Sequence, residues 1–137
     1  MGFEKFGQKS FVAEARARDF ASYLEQGRLM TTRCQSCGRI TFPPKMDCLA
    51  CGSSQADWIE IEEPGRLATW TIVRYGPAGF ENETPYTLAV VAFPLGIKMF
   101  GQVDKRVPPS EIEPGMSLRA VSIKLANGQF SYHFEKA

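Results

Sequence analysis

The sequence predicts a mainly β protein: an N-terminal helix, a short cysteine-bearing ribbon, and a small barrel of five or six strands. Three observations carry this. Apolar residues recur at helical spacing between about Phe11 and Gln26. All four cysteines fall in one polar stretch, Arg28 to Ser54. From Trp58 onward, short runs rich in Thr, Val, Ile and aromatics alternate with Gly/Pro turns. At 137 residues the chain suits one barrel-sized core with a small appended module, not several large domains. The divisions expected are a helical segment over 1–27, the ribbon over 28–56 and the barrel over 57–137.

In the first element Ala13, Ala17, Ala21 and Leu24 share a face with Phe20. Ser10 is placed to cap its start and Gly27 to stop it. Such an alanine-rich helix is too weakly apolar to stand alone, so it must dock, either on its own domain or on a partner. In the ribbon, a short hairpin is expected over Arg39–Met46, turning at Pro43-Pro44. The strands expected after it are Trp58–Glu62, Leu67–Tyr75, Tyr86–Phe93, Lys98–Val103, Leu118–Leu125 and Phe130–Phe134. Asn127-Gly128 is a two-residue hairpin signal between the last two. With hardly any helical pattern between the strands, the arrangement argues a closed Greek-key barrel of OB type over a parallel sheet.

Cys34-Gln35-Ser36-Cys37-Gly38 and Cys48-Leu49-Ala50-Cys51-Gly52 are two CxxC pairs, each followed by glycine. Two thiolates three residues apart on a tight turn can face one ion, and the trailing glycine permits the turn. Facing each other, the two knuckles make a tetrahedral thiolate site with no open position, as in rubredoxin-like zinc ribbons. That is a structural site, not a catalytic one. Cys34, Cys37, Cys48 and Cys51 are therefore the expected zinc ligands, with iron in the same geometry the alternative. A disulfide or redox reading fits the pattern less well: a reducing compartment opposes the first, and duplication with trailing glycines opposes the second.

Charge and motif content exclude much else. Lys plus Arg number 16 against 15 Asp plus Glu, a net of +1 that four zinc-bound thiolates would turn to about −1. A protein that grips nucleic-acid phosphates ordinarily carries a basic surplus. No run approaches the roughly 18 apolar residues of a membrane span, and the N-terminus has no apolar signal core. A cytoplasmic protein is expected. No GxSxG, P-loop or dinucleotide fingerprint occurs, and the cysteines are committed to the metal. The one histidine, His133, alternates with aromatics in the last strand and reads as a packed or surface residue. The chain has the inventory of a binding or accessory protein and not of an enzyme.

One family matches the whole order of these features. The run Gly27-Arg28-Leu29, the Cys34/Cys37 knuckle, Phe42-Pro43-Pro44, the Cys48/Cys51 knuckle, Gly65-x-Leu67 and Pro85-Tyr86 resembles the family once called domain of unknown function 35. Its members join a helix, a zinc ribbon and an OB-fold domain and are found beside thiolases and other acyl-CoA enzymes. Within it the chain is similar to the small subunits of benzoylsuccinyl-CoA thiolases. The resemblance implies a non-catalytic subunit that docks on a thiolase-like catalytic chain and helps bind or enclose a coenzyme A thioester. The family supplies no sharp motif for that ligand, so its contacts are expected from chemistry. Arg33, Arg39 and Lys45 suit the phosphates, and Phe42, Tyr75, Phe80 and Tyr86 the adenine, pantetheine or acyl parts. The alternative is an OB-fold protein binding single-stranded nucleic acid.

Overall fold

In the computed structural model, residues 18–79 and 84–137 are described. The expected cap Ser10, the expected first turns of the helix and the candidate contact Phe80 lie outside the described residues. Helix α1 spans Asp19–Glu25. Two antiparallel sheets follow. The first contains β1 (Met30–Cys34), β2 (Ile40–Thr41) and β3 (Ala56–Glu60) in the order β2-β1-β3. The second contains β4 (Gly65–Val73), β5 (Tyr86–Ala92), β6 (Lys98–Gln102), β7 (Ser117–Lys124) and β8 (Phe130–Lys136) in the order β6-β5-β4-β7-β8. The mainly β class and the OB-type barrel of five strands are as the sequence predicts.

Three local readings are corrected. The hairpin turning at Pro43-Pro44 does not form. Ile40–Thr41 instead pairs backwards with Thr32 and Arg33 of β1, across the first cysteine knuckle. Lys45 is held in place by Thr32, whose Oγ1 donates to the Lys45 carbonyl and accepts from its N–H, both at 2.8 Å. Secondly, the strand around Trp58 pairs with β1 over its whole length, from Met30↔Glu60 to Cys34↔Ala56, and so completes the ribbon's sheet, not the barrel's. Thirdly, the β7–β8 turn has three residues. Leu125 N–H reaches the Gln129 carbonyl at 2.7 Å, Gly128 N–H returns to Leu125 at 3.0 Å, and Gly128 alone takes a positive φ, of 85°. A two-residue type I′ turn would need Asn127 left-handed as well, and no non-glycine residue among those described is.

The helix docks on its own chain. Phe20, Ala21 and Leu24 are buried against β1, β7 and β8. Its end is a Schellman motif: Gly27, at φ 79°, donates to Leu24 and Arg28 donates to Tyr23. The Leu24 carbonyl also accepts from Ser122 Oγ of β7 at 2.6 Å. Tyr23 packs against Trp58 with tilted rings, centroids 5.3 Å apart, and Arg28 lies over Tyr23 while reaching Glu60 at 3.2 Å.

The core is continuous from ribbon to barrel. Phe42 meets Phe20 at 5.8 Å and Tyr132 at 5.7 Å; Tyr132 meets Phe134 at 6.2 Å, and Phe134 meets Phe93 at 6.5 Å. Glycine makes room for this column, since a Cβ at Gly101 would lie 3.0 Å from the Tyr132 ring. Burial also pushes the Tyr132 phenol up to about 12, and its hydroxyl donates to the Phe100 carbonyl.

The barrel closes where the chain leaves β6. Val103 forms a parallel bridge to Phe134, and Asp104 N–H donates to the Phe134 carbonyl at 2.7 Å. Asp104, 9% exposed, turns its carboxylate onto Arg106, whose N–H, Nε and Nη2 reach it at 3.0, 2.9 and 2.7 Å. Arg106 also lies 3.6 Å from Glu135, which pairs with His133 at 2.7 Å. The Arg106 hydrogen bonds hold the Asp104 carboxyl below its ordinary pKa, against the opposing effect of burial. A carboxylate lowered in this way adds stability above the ordinary carboxylate range and loses it as pH falls through the folded value.

This packing sets two expectations for stability. Asp104→Asn is expected to cost about 1.5–3 kcal/mol in urea unfolding at neutral pH, the worth of hydrogen bonds to a charged group. That gap should close in acid, as the wild-type carboxylate is itself protonated. Gly65→Ala, whose Cβ would sit 2.5 Å from the Ala92 carbonyl oxygen, is expected to cost about 1–3 kcal/mol by overpacking, read from the same unfolding curves.

Candidate metal centre and ligand sites

Each knuckle is built the same way. Cys34 N–H donates to the Arg39 carbonyl at 2.9 Å, and Cys48 N–H to that of Ser53 at 2.8 Å. Gly38 N–H returns to Cys34, and Gly52 N–H to Cys48, both at 2.9 Å, with both glycines at φ 78°. A side chain in that left-handed region is strained, which is why glycine follows each pair. Gln35 N–H to the Gln55 carbonyl at 2.9 Å and Ser36 Oγ to Ser53 Oγ at 3.0 Å cross between the knuckles.

This frame brings all four sulfurs within 4.8 Å of one another. Cys34 Sγ lies 3.5 Å from Cys51 Sγ, and Cys37 Sγ lies 3.6 Å from Cys48 Sγ. A disulfide would bring a pair to about 2.05 Å, and all four cysteines are free thiols. Four sulfurs at about 2.3 Å from a tetrahedral zinc ion are about 3.8 Å apart. The observed separations fit that edge, so the cysteine set accepts the ion its spacing implies.

The electrostatics agree. Backbone N–H groups of Cys37 and Ser36 pull the Cys34 thiol down to about 6, with burial opposing them. The N–H groups of Cys51 and Ala50 lower Cys48. At Cys51 the Ser53 N–H acts in the same direction, but the three neighbouring sulfurs and burial push that thiol up to about 12. Such a cluster takes up its last negative charge only with a cation among the sulfurs.

The expected ligand contacts do not form one surface. Arg39 and Lys45 share a narrow cleft with Cys34, Cys48 and Leu49, beside the metal centre. Leu49, 82% exposed, forms the lip. Arg33 lies outside that cleft, solvent-facing on β1 across from Asp57. Phe42 is spent on the aromatic column. Tyr86 is buried at the start of β5, while Tyr75 is 94% exposed just past β4. The two tyrosines therefore flank the β4–β5 loop from opposite environments. Sequence reasoning passed over Thr31 and Thr32, both fully buried in β1, with the Thr31 hydroxyl donating to the Thr41 carbonyl. It also passed over the Asp104, Arg106, His133 and Glu135 cluster. Part of its signal was there: His133-x-Glu135 is a pair at strand spacing on one face of β8, while Asp104-x-Arg106 is a turn in which the Asp104 carboxylate takes the Arg106 N–H.

Fold and centre together define a small protein with a thiolate metal ribbon packed on an OB barrel. Residues 21–56 match the rubredoxin-like zinc ribbon domain of ChsH2, and residues 58–122 match the ChsH2 C-terminal OB-fold domain. A DUF35 domain-containing scaffold protein of Pyrococcus furiosus is 35% identical over 109 residues, covering 80% of this chain and 79% of that one. The chain belongs to the DUF35 family. The benzoylsuccinyl-CoA thiolase subunit BbsA of Geobacter metallireducens is 26% identical over 107 residues, covering 76% of this chain and 71% of that one. Among solved structures, the Ltp2-ChsH2(DUF35) aldolase superposes with a TM-score of 0.78 at 24% identity, covering 92% of this chain and 98% of the other. It shares the fold. No helix among the described residues is long and apolar enough to cross a membrane.

Replacing Cys37 by Ser should drop bound zinc from about one ion per chain to near none, because a structural site needs all four ligands. Elemental analysis of the purified protein checks this, and thermal unfolding should move to lower temperature in parallel.

Proposed function

We propose that this chain is a non-catalytic accessory subunit of an acyl-CoA enzyme of thiolase type. In this reading it docks on the catalytic chain and helps bind or enclose the coenzyme A thioester. The observation that carries it is the kinship with BbsA, itself named as a subunit of a benzoylsuccinyl-CoA thiolase. The residues support it. No nucleophile stands beside a base among the described residues. The lone histidine is tied to Glu135 in the cluster that closes the barrel, and the cysteines form a closed metal set.

In this role zinc, held by Cys34, Cys37, Cys48 and Cys51, would supply rigidity and no bond-making chemistry. Arg39 and Lys45, both presented by the ribbon cleft, are the cations placed to meet phosphates, the first as a forked donor and the second as a point charge. Tyr75 is the exposed aromatic placed to cover an adenine or acyl group. The substrate most in keeping with the kinship is an aromatic acyl-CoA, such as benzoylsuccinyl-CoA.

The nucleic-acid alternative finds less support. The outer face of β5 and β6, where OB barrels lay single strands, presents Leu88, Val90 and Phe100, with Lys98 as the cation of its rows. Such a face lacks the basic track a phosphate backbone needs.

A tagged pull-down from native cell extract, with metal analysis of the eluate, tests the proposal. Stoichiometric zinc with a co-purifying thiolase-like chain, and turnover only when both are present, is expected. Zinc without a protein partner, but with nucleic acid that salt strips away, would sink it. In the assembled complex, Arg39→Ala with Lys45→Ala should weaken coenzyme A thioester binding roughly tenfold while leaving zinc content unchanged.

A further inference from the structure

The ribbon's sheet ends on an open edge. In the order β2-β1-β3, strand β3 is hydrogen-bonded on one side, to β1 alone. At the two ends of that pairing, Gln35 N–H reaches the Gln55 carbonyl and Ile61 N–H the Leu29 carbonyl, both at 2.9 Å. In an antiparallel ladder such bonded pairs recur every second residue, so Asp57 and Ile59 turn their main chain toward β1. Ala56, Trp58 and Glu60 turn theirs outward, and no described residue takes those N–H and carbonyl groups. Natural edges are guarded by lysine, proline, a bulge or other charges. Here the register on β1 runs unbroken over five residues, and the guards are two acids, Asp57 and Glu60. They repel an acidic strand and admit a basic one. The edge also runs into a hollow of about 210 Å³, where Glu60, Ile61, Glu62 and Glu63 meet Phe93 and Leu95. Arg28 answers Glu60, and Arg119 gives its guanidinium to the Glu62 carbonyl at 2.9 Å. The carboxylates of the exposed residues Glu62 and Glu63 pair with no cation among the described residues.

Open main-chain groups specify an extended strand, and the acids specify its charge. The hollow, apolar at Ile61, Phe93 and Leu95 and acidic at its other residues, suits a Lys or Arg side chain. Its aliphatic stem lies on the apolar part and its charged head meets Glu62 and Glu63. A second copy of this chain is the poorer occupant, because it would lay its own Asp57 and Glu60 on the same acidic surface. We infer that β3 and the hollow beyond it dock an extended, basic segment of a partner protein as an added strand. This rests on the accessory reading for the partner, the catalytic chain, and names the surface which that chain takes.

The probe is the peptide acetyl-Lys-Val-Lys-Val-Arg-amide, titrated into the zinc-loaded full chain at low salt and followed by amide chemical shifts in NMR. Saturable shifts are expected at Ala56, Trp58 and Glu60, with slower hydrogen exchange there. Methylating alternate peptide nitrogens, or replacing the peptide's cations by Glu, should weaken binding about tenfold or more. The double change Glu62→Lys with Glu63→Lys should do the same. So should Ala56→Pro, which removes an outward N–H and none of the bonds to β1. A native-like spectrum and unchanged zinc content show that each variant has folded. Absence of saturable shifts, or binding indifferent to both methylation and the glutamate changes, would overturn the inference. Dimers of the chain that Ala56→Pro dissolves, with no peptide bound, would overturn it in favour of a second copy. In the assembled complex the three outward amides should exchange more slowly than in the free chain. If the complex forms and they do not, the added strand is wrong and the accessory reading stands. If no thiolase-like chain co-purifies, the accessory reading falls and the partner named here falls with it.

Discussion

The aromatic column from Phe20 through Phe42, Tyr132 and Phe134 to Phe93 is the constraint on which the rest of the structure depends. One ring comes from the helix, one from the ribbon's loop and three from the barrel, so these parts share a single apolar interior. A zinc ribbon alone buries too little to hold a fixed position against a neighbour. Here Phe42 anchors it, with β3 feeding directly into the barrel through Ile61, whose N–H donates to the Leu29 carbonyl at 2.9 Å. The metal then acts locally, fixing the tips of the two knuckles, while hydrophobic burial fixes where the ribbon points.

This division explains what was legible in the amino-acid order. The gathering of the four cysteines was readable, because it depends on spacing of two to three residues and on the glycines that follow. The barrel strands were readable because their alternation and turn residues are local. The ribbon's sheet was not, because β1 and β3 pair residues more than twenty positions apart, and Met30–Cys34 carries polar Thr31, Thr32 and Arg33. Two buried threonines look like a loop until their hydroxyls are seen stapling one. The Pro43-Pro44 hairpin failed for the same reason: the pairing partner of Ile40 lies upstream, across the metal.

The ligand contacts were legible as residue types but not as a place. The expected contacts, basic ones in the ribbon and aromatic ones mostly in the barrel, were assigned to parts of one ligand by residue type alone. The fold sends Phe42 inward, leaves Arg33 apart from the cleft of Arg39 and Lys45, and puts Tyr75 and Tyr86 at the barrel. Side-chain direction is set by strand register, which one-dimensional proximity does not carry. The cluster that clasps the barrel shows the converse. Asp104 and Glu135 are far apart in the chain, and only closure makes them neighbours.

The hydrogen bond from Ser122 to the end of the helix joins residues 98 positions apart. Contacts of such separation form late, since most of the intervening chain must be ordered first. The knuckles, by contrast, need only the stretch from Cys34 to Cys51. As the chain emerges from the ribosome, the thiolates are therefore free to capture their ion while β7 and β8 are still unmade. The helix, though synthesised before either, has only β1, Phe42 and Trp58 to lie on until the last strands are made. In order of assembly, the metal can be held before the helix has its full set of contacts.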